Sequence, residues 1–231
     1  MNNYNTILYD PQREYYRTTI AHIEQLCPEM HKRKMERANI QQAFVYETVN
    51  EEINVNMARN IFCAGYYEDT AYEALKANNI LNLQGIDPKF DYTLHQYCEL
   101  SEKLHEVHNQ ISDVKGFFDV AFSTSVIEHV EDDKEFLTDF ISLIKPGGLG
   151  VLTLDFQFGY KPGDPLPPTT LRFYTEEIIK NELVPFIELS NCILIGEPNW
   201  HDGQNDFEYE GINYCFATLI FRKNNESSSI R

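Results

Sequence analysis

The stretch FDVAFSTSVIEHVEDDKEFLTDFISLIKPGGLGVLTLD, residues 118–155, decides the fold of this chain. It opens inside an apolar run, residues 117–123, that predicts a buried strand. Over residues 132–144 the apolar side chains recur at helical spacing, and Lys145-Pro146-Gly147-Gly148 ends that helix. Residues 149–156 then predict a second strand. A strand, a helix and another strand in this order form a βαβ unit, whose two strands lie parallel in one sheet.

The segments on either side continue this alternation. We therefore expect an α/β fold with a mostly parallel sheet, helices on both faces, a final antiparallel strand and additional N-terminal helices. The other predicted strands are residues 60–65, 80–88, 192–195 and 214–221, with a short edge strand within residues 105–115. The other predicted helices are residues 10–27, 30–53, 69–77, 92–104 and 175–184, and residues 197–211 are expected to form a long loop.

The composition fits one domain, because the chain has 231 residues of which 42% are hydrophobic. We expect a helical extension in residues 1–56, the main domain in residues 57–222 and a disordered tail in residues 223–231. The net charge of −17 repels polyanions, so nucleic acid is not an expected partner. The best candidate for a local basic patch, His31-Lys32-Arg33-Lys34, is expected to be a solvated helix face.

The cysteines predict neither a disulfide framework nor a metal site, because their number is odd and no pair has C-x-x-C spacing. Cys63 and Cys215 lie in apolar runs and are expected to be core residues. The polar N-terminus and the lack of a long apolar run predict no secretion signal and no contact with a membrane. A cytoplasmic location is the default expectation, and a homodimer is compatible with the sequence. The cysteines are Cys27, Cys63, Cys98, Cys192 and Cys215.

Three strand ends carry residues that could bind a ligand, because an open α/β sheet binds ligands beyond the carboxyl ends of its strands. Gly65 follows the first strand and allows close backbone approach, although it could equally form a simple tight turn. Asp87 ends the second strand, where a carboxylate could accept hydrogen bonds from a ribose or cap a helix. Glu128 and His129 follow the strand of residues 117–123, and His129 is expected to face the crevice rather than to be a structural histidine.

These segments together resemble the class I S-adenosylmethionine-dependent methyltransferase family. The similarity is strongest over residues 118–155, holds over residues 60–155, and extends more loosely to the last strand. It implies S-adenosylmethionine as the cofactor and a small molecule as the partner. Tyr67 departs from the family pattern, because a glycine usually stands there, and it could either crowd the methionine part of the cofactor or contact it. Asp69 likewise stands where a third glycine is often found.

The resemblance also implies roles for individual residues. His129 is the expected base for a hydroxyl acceptor, His201 is the reserve candidate, and Glu128 orients the site. We expect no metal, although related quinone-pathway O-methyltransferases link a similar Glu-His pair to a divalent ion. The expected cofactor-binding residues are Ala64, Gly65, Tyr67, Asp87, Ser123, Thr124 and Ser125.

Two loops, residues 157–164 and 199–209, mix aromatic side chains with Asp, Asn, Gln and His. This mixture suits a sugar or nucleotide sugar, although the loops could equally be solvated segments anchored by aromatic residues. The expected activity is therefore O-methylation of a small hydroxylated acceptor, in carbohydrate biosynthesis. A lipid, a quinone or an amine is the alternative acceptor. A methyltransferase-like module that only binds is the alternative to an enzyme, and Tyr67 favours it. A nicotinamide-dependent oxidoreductase is disfavoured, because the chain lacks G-x-G-x-x-G.

Overall fold

A computed structural model describes residues 4–80, 82–87, 107–108 and 117–225 of the chain. In these residues one central sheet carries helices on both faces, which confirms the predicted fold class. None of the helices in this part of the chain is long and apolar enough to cross a bilayer.

The sheet has a parallel part and an antiparallel edge. In space its strands follow the order β1-β9-β6-β5-β2-β3-β4, and β7 and β8 also pair with β9. Strands β2 to β6 run parallel to one another, whereas β9 is antiparallel to β6. The strands are β1 (Ile7–Leu8), β2 (Asn60–Ala64), β3 (Asn82–Ile86), β4 (Val107–His108), β5 (Phe118–Thr124), β6 (Ile144–Phe156), β7 (Cys192–Leu194), β8 (Phe207–Tyr209) and β9 (Ile212–Lys223).

Three helices that follow β2 begin at polar residues whose side chains cap them, whereas the two longest helices, which start at Asp10 and Asn39, have no side-chain cap. Asp69 accepts a hydrogen bond from the backbone nitrogen of Tyr72, and Asp132 and Thr175 cap later helices in the same way. The helices are α1 (Asp10–Leu26), α2 (Pro28–His31), α3 (Asn39–Val55), α4 (Thr70–Ala77), α5 (Asp133–Leu143) and α6, which joins Glu176–Ile178, the π-helical turn Ile179–Leu183 and Val184–Leu189. Short 3₁₀ turns form at Glu36–Ala38 and Ile127–His129.

The core has two layers because successive strand residues point to opposite faces of the sheet. On β2, Phe62 packs with α5 and α6, whereas Ile61 and Cys63 pack with α1, α3 and α4. Helix α3 is buried almost all round over its first two turns, since it contacts the sheet as well as α1 and α4. The core positions predicted for Cys63 and Cys215 are confirmed, because both are fully buried.

The N-terminal segment differs from the predicted helical extension in two ways. Residues 7–8 form β1, which pairs with β9, so the extension contributes a strand to the sheet. Helix α3 begins at Asn39 rather than at residue 30, because the charged run before it offers no apolar face to bury and Met35 is extended. Asn5 bonds to β9 through its side chain, accepting from the backbone nitrogen of Ile220 at 2.7 Å.

Two other segments also differ from the sequence predictions. Strand β8 lies within the predicted loop of residues 197–211, and α6 extends beyond residue 184 to Leu189. Strand β4 falls inside residues 105–115, as expected for a short edge strand. The predicted helix at residues 92–104 lies outside the described residues, as do Cys98 and most of the predicted tail.

Candidate functional site

A cavity of about 870 Å³ opens at the carboxyl ends of β2, β3, β5 and β6. Its size lies in the roughly 300–1,000 Å³ range of small-molecule sites. Seven of the predicted site residues line it: Ala64, Gly65, Tyr67, Asp87, Thr124, Ser125 and His129. Ser123, Glu128 and His201 are not in its wall.

Gly65 turns the chain where β2 ends. Its φ of +85° is in the left-handed region, and a Cβ placed there would lie 2.3 Å from Cγ2 of Val126. Its backbone nitrogen donates to the carbonyl of Ile86 at 2.8 Å, which holds the turn against the end of β3. Only glycine fits this position without displacing the wall of the cavity.

Asp87 lies beside this turn, with its side chain on the cavity wall. The backbone nitrogen of Tyr67 donates to its Oδ2 at 3.0 Å. A carboxylate has about four acceptor positions and can therefore accept hydrogen bonds from a ligand as well as from the protein. Tyr67 also lines the cavity and is partly exposed, so it narrows the space without closing it.

The position usually held by a third glycine has a structural role here. Asp69 caps α4 and is almost fully buried. Burial raises the pKa of its carboxyl, and the charge of Lys34 opposes that rise. Lys34 lies in the cavity wall, where burial lowers the pKa of its ammonium group. The prediction that His31-Lys32-Arg33-Lys34 is a solvated helix face is therefore wrong for Lys34, because α2 ends at His31 and Lys34 lies in the cavity wall.

Three polar residues at the end of β5 have different roles. The Ser123 hydroxyl donates to the carbonyl of Ala64 at 2.8 Å and ties β5 to β2, which explains why Ser123 is not in the wall. Thr124 lies in the wall but is almost fully buried. Ser125 has a φ of +50°, and its Oγ lies 2.7 Å from Oε1 of Gln41 and 3.2 Å from Oδ1 of Asp155.

Glu128 is buried behind the wall and faces Asp155. Burial raises the pKa of Glu128 to about 7. Burial and the neighbouring Glu128 carboxylate raise the pKa of Asp155 well above its ordinary value. The pair therefore retains a proton near neutral pH, and Asp155 is the member in the cavity wall. Glu128 touches no space that a ligand could enter, so it could act only through Asp155.

His129 is in the cavity wall, at the end of the 3₁₀ turn Ile127–His129. Its Nδ1 lies 2.9 Å from the carbonyl oxygen of Thr169. A carbonyl only accepts, so Nδ1 carries a proton and Nε2 of the neutral ring is left as an acceptor. This is the tautomer that a base in the cavity needs.

His201 lies away from the cavity. Its ring nitrogens are 3.8 Å from Oε1 of Glu176 and 3.7 Å from Oδ2 of Asp202, and the side chain is exposed. Only part of the two predicted acceptor loops reaches the cavity. Residues 157–164 are absent from the wall, and Trp200 is buried in the core, where its Nε1 donates to the carbonyl of Thr218.

Sequence reasoning missed most of the residues that cover the cavity. The N-terminal segment contributes Lys34, Met35, Ala38, Gln41 and Gln42, and β9 contributes Tyr214 and Phe216. Phe207 and Tyr209 also line the cavity, and both belong to the loop of residues 199–209 that was predicted to bind the acceptor. Asp155 could have been found, because it is a polar residue at a strand end like Asp87. The others come from distant parts of the chain, and no local pattern marks them. In the described part of the chain, no group of three or more His, Cys, Asp or Glu residues could hold a metal ion.

No protein-family model matches the sequence, and no curated protein matches it. Solved structures do resemble the fold. Magnesium protoporphyrin IX methyltransferase (ChlM) from Synechocystis PCC 6803, solved with bound SAM, has a TM-score of 0.52 and 12% identity, covering 94% of this chain and 99% of that one. The chain has the class I methyltransferase fold.

Two further structures show how varied the activities of similar folds are. The 1,6-didemethyltoxoflavin-N1-methyltransferase from Burkholderia thailandensis, solved with S-adenosylhomocysteine, has a TM-score of 0.53 and 15% identity, covering 94% of this chain and 92% of that one. The [4+2]-cyclase SpnF has a TM-score of 0.58 and 14% identity, covering 96% of this chain and 100% of that one. At these identities the class I fold is shown, and activity must be argued from the site.

Proposed function

We propose that this protein is an S-adenosylmethionine-dependent methyltransferase that methylates a hydroxyl of a small acceptor such as a sugar or a nucleotide sugar. One observation carries the proposal. A single cavity brings together the glycine turn at Gly65, the carboxylate of Asp87 and the imidazole of His129. A binding role alone would not require an imidazole held in the tautomer of a base.

The residues at the Gly65 end fit the cofactor. The missing side chain of Gly65 lets a ligand approach the backbone, and Asp87 would accept hydrogen bonds from ribose hydroxyls. Tyr67 lines the cavity without closing it, which supports an enzyme over a module that only binds. When bound, S-adenosylmethionine supplies a methyl group activated by its sulfonium charge.

His129 suits the proton transfer that a hydroxyl acceptor needs. The acceptor oxygen must lose its proton as it is methylated, and Nε2 of His129 would take it while Thr169 holds the other side of the ring. A positioned base of this kind typically contributes about 10²–10⁴-fold to the rate. The cyclase among the structural neighbours shows that a fold of this kind also carries other reactions, so transfer must be measured directly.

The test measures transfer of a tritiated methyl group from S-adenosylmethionine to a panel of nucleotide sugars, free sugars, catechols and amines. We expect a hydroxylated acceptor to be labelled, and His129→Asn to lower the rate by about 10²-fold or more. The comparison variant His201→Asn should retain the wild-type rate, because His201 lies outside the cavity. Labelling of amines alone, or an equal loss of rate in the two variants, would overturn this account of the base and acceptor.

A further inference from the structure

The sheet order divides the cavity into two halves. Along the sheet the strands run β3, β2, β5, β6 and β9, and the order reverses between β2 and β5. Ligands of open α/β sheets bind at such a reversal. Gly65 and Asp87 lie on the β2–β3 side, where the proposed cofactor would bind. The half above β5, β6 and β9 is then left for a second ligand, and Ser125, Asp155 and Tyr214 lie there.

Helix α3 covers that half with two neighbouring amides. Gln41 is 2% exposed, and its Oε1 accepts a hydrogen bond from Oγ of Ser125 at 2.7 Å. Ser125 in turn lies 3.2 Å from Oδ1 of Asp155. One connected polar wall therefore runs from α3 across the end of β5 to the end of β6.

Gln42 is the observation that points to a ligand. It lines the cavity and is 5% exposed, yet its Oε1 has no hydrogen-bond partner among the described residues. A buried polar atom left unpaired costs about 1–3 kcal/mol. A ligand that donates a hydrogen bond to Gln42 would recover this loss.

The facing wall is aromatic. Phe207, Tyr214 and Phe216 line the cavity and pack against one another, with ring centroids 4.9–5.7 Å apart. Rings of this kind cover the C–H face of a ligand while polar groups bind its hydroxyls. Burial, together with the nearby carboxyls of Asp155 and Glu128, raises the pKa of Tyr214, which keeps its phenol neutral.

We propose that Gln41, Gln42, Ser125 and Asp155 form the acceptor subsite, and that they bind neighbouring hydroxyls of a neutral polyol ring. The subsite offers amide, hydroxyl and carboxyl groups at once, so it can both donate to and accept from adjacent hydroxyls. These groups replace the polar residues of the two loops predicted to bind a sugar. This inference rests on the proposed function, because it takes the Gly65 half of the cavity as the cofactor site.

Saturation-transfer NMR on the full-length protein tests the subsite. S-adenosylhomocysteine is added in excess so that it occupies the cofactor site. The probes are methyl α-D-glucopyranoside, methyl α-D-mannopyranoside, UDP-glucose and catechol. We expect at least one sugar probe to bind and catechol not to bind. UDP-glucose distinguishes a nucleotide-linked sugar from a free one, and either result supports the polyol class.

Variants then separate the subsite from the cofactor site. Gln42→Met and Gln41→Met should each weaken sugar binding by about 10-fold, the equivalent of one lost hydrogen bond, while the Kd for S-adenosylhomocysteine changes by less than about 3-fold. Thr48→Val on the same helix is the matched control, because Thr48 is buried outside the cavity. Thermal melting identifies any variant that is unfolded. If one of the two subsite variants is unfolded, the sugar affinity of the other one tests the proposal.

The failures are distinguishable. If the wild type does not bind S-adenosylhomocysteine, the proposed function fails and the subsite fails with it. If S-adenosylhomocysteine binds but no sugar probe does, or if catechol binds preferentially, only the subsite proposal is overturned. It is also overturned if both folded variants bind the sugar as tightly as Thr48→Val does.

Discussion

Gly65 is the residue with the tightest steric constraint at the proposed cofactor end of the cavity. In Gly65→Ala, the alanine would have to adopt a left-handed backbone with a φ of +85°, which is strained for any residue with a side chain. Its new methyl would also lie 2.3 Å from a carbon of Val126. We expect S-adenosylhomocysteine to bind at least about 10-fold more weakly, because the turn must move, which corresponds to about 1.4 kcal/mol. Isothermal titration measures the change in Kd.

Gly196→Ala is the matched control for this prediction. Gly196 has a φ of +80°, and an added Cβ there would meet only Tyr4 at an ordinary 3.8 Å. It should therefore lose stability from the backbone strain alone, about 1 kcal/mol, and keep its affinity for the ligand. Equal affinities for the two alanine variants would contradict the role given to Gly65.

Glu128 gives the protein a pH-dependent stability. Burial raises its pKa from 4.5 to about 7. Well below pH 4.5 the carboxyl is protonated in both the folded and unfolded chain, so its raised pKa does not affect stability. Between pH 4.5 and about 7 the unfolded chain loses a proton that the folded chain keeps, so the free energy of unfolding falls. Each pKa unit is worth about 1.4 kcal/mol, so the whole loss should reach roughly 3–4 kcal/mol, most of it between pH 5 and pH 8.

Urea unfolding at pH 5 and pH 8 measures this loss. Glu128→Gln should remove most of it, because the amide does not titrate and no longer repels the Asp155 carboxylate. Glu177→Gln, at an exposed position, should behave as the wild type does. If Glu128→Gln loses as much stability as the wild type between these two pH values, the burial argument is wrong.

Local pattern predicted several cavity residues and failed at others for identifiable reasons. Gly65, Asp87 and His129 follow strands, and the rule that ligands bind beyond strand ends applies to each. Ser123 was misplaced because β5 ends one residue later, so its hydroxyl bonds to β2 instead. Glu128 was misplaced because the 3₁₀ turn Ile127–His129 sends neighbouring side chains in different directions, one into the core and one to the cavity.

At the scale of elements, an ion pair fastens α1 to the segment that enters β8. Both guanidinium NH groups of Arg13 reach the carboxylate of Asp206, whose side chain is only 4% exposed. Arg37 adds a bond to the Asp206 carbonyl. These contacts hold the N-terminal segment and the β8–β9 hairpin together over the cavity.

Breaking this pair should be costly, because Asp206 would be left as a buried, unpaired carboxylate. We expect Arg13→Met to lower the free energy of unfolding by roughly 2–4 kcal/mol and to speed amide hydrogen exchange in the β8–β9 hairpin. Urea unfolding and exchange mass spectrometry measure the two effects. Arg17→Met is the control, because its pair with Glu14 is exposed and should contribute about 0–1 kcal/mol. Equal losses in both variants would show that the pair does not fasten these elements.

The strands and helices of the parallel sheet could be predicted because each strand buries a run of apolar residues and each helix buries an apolar face at helical spacing. Strands β1 and β8 could not, since two or three residues are too few to show an alternation. Both gain their stability from pairing with β9, which is distant from β1 in sequence. The position of α3 over the cavity is also a long-range result, so no local signal could have marked Gln41 and Gln42.

At the scale of the whole molecule, the fold and the charge act together. The class I fold places a cavity at the reversal of strand order, and the whole chain carries a net charge of −17. A net charge of this sign disfavours polyanions and leaves neutral acceptors unaffected. The fold could be predicted from one βαβ unit. The N-terminal segment and the β8–β9 hairpin cover the cavity through contacts between the two ends of the chain, which no local pattern shows.

Titration calorimetry with S-adenosylhomocysteine tests the central claim most directly, on the wild type, Asp87→Ala and the exposed control Asp202→Ala. We predict one site per chain in the wild type and in Asp202→Ala, and at least about 10-fold weaker binding in Asp87→Ala, because a carboxylate that holds the ribose contributes about 1.5–3 kcal/mol. Absence of binding to the wild type, or unchanged binding to Asp87→Ala, would contradict the account.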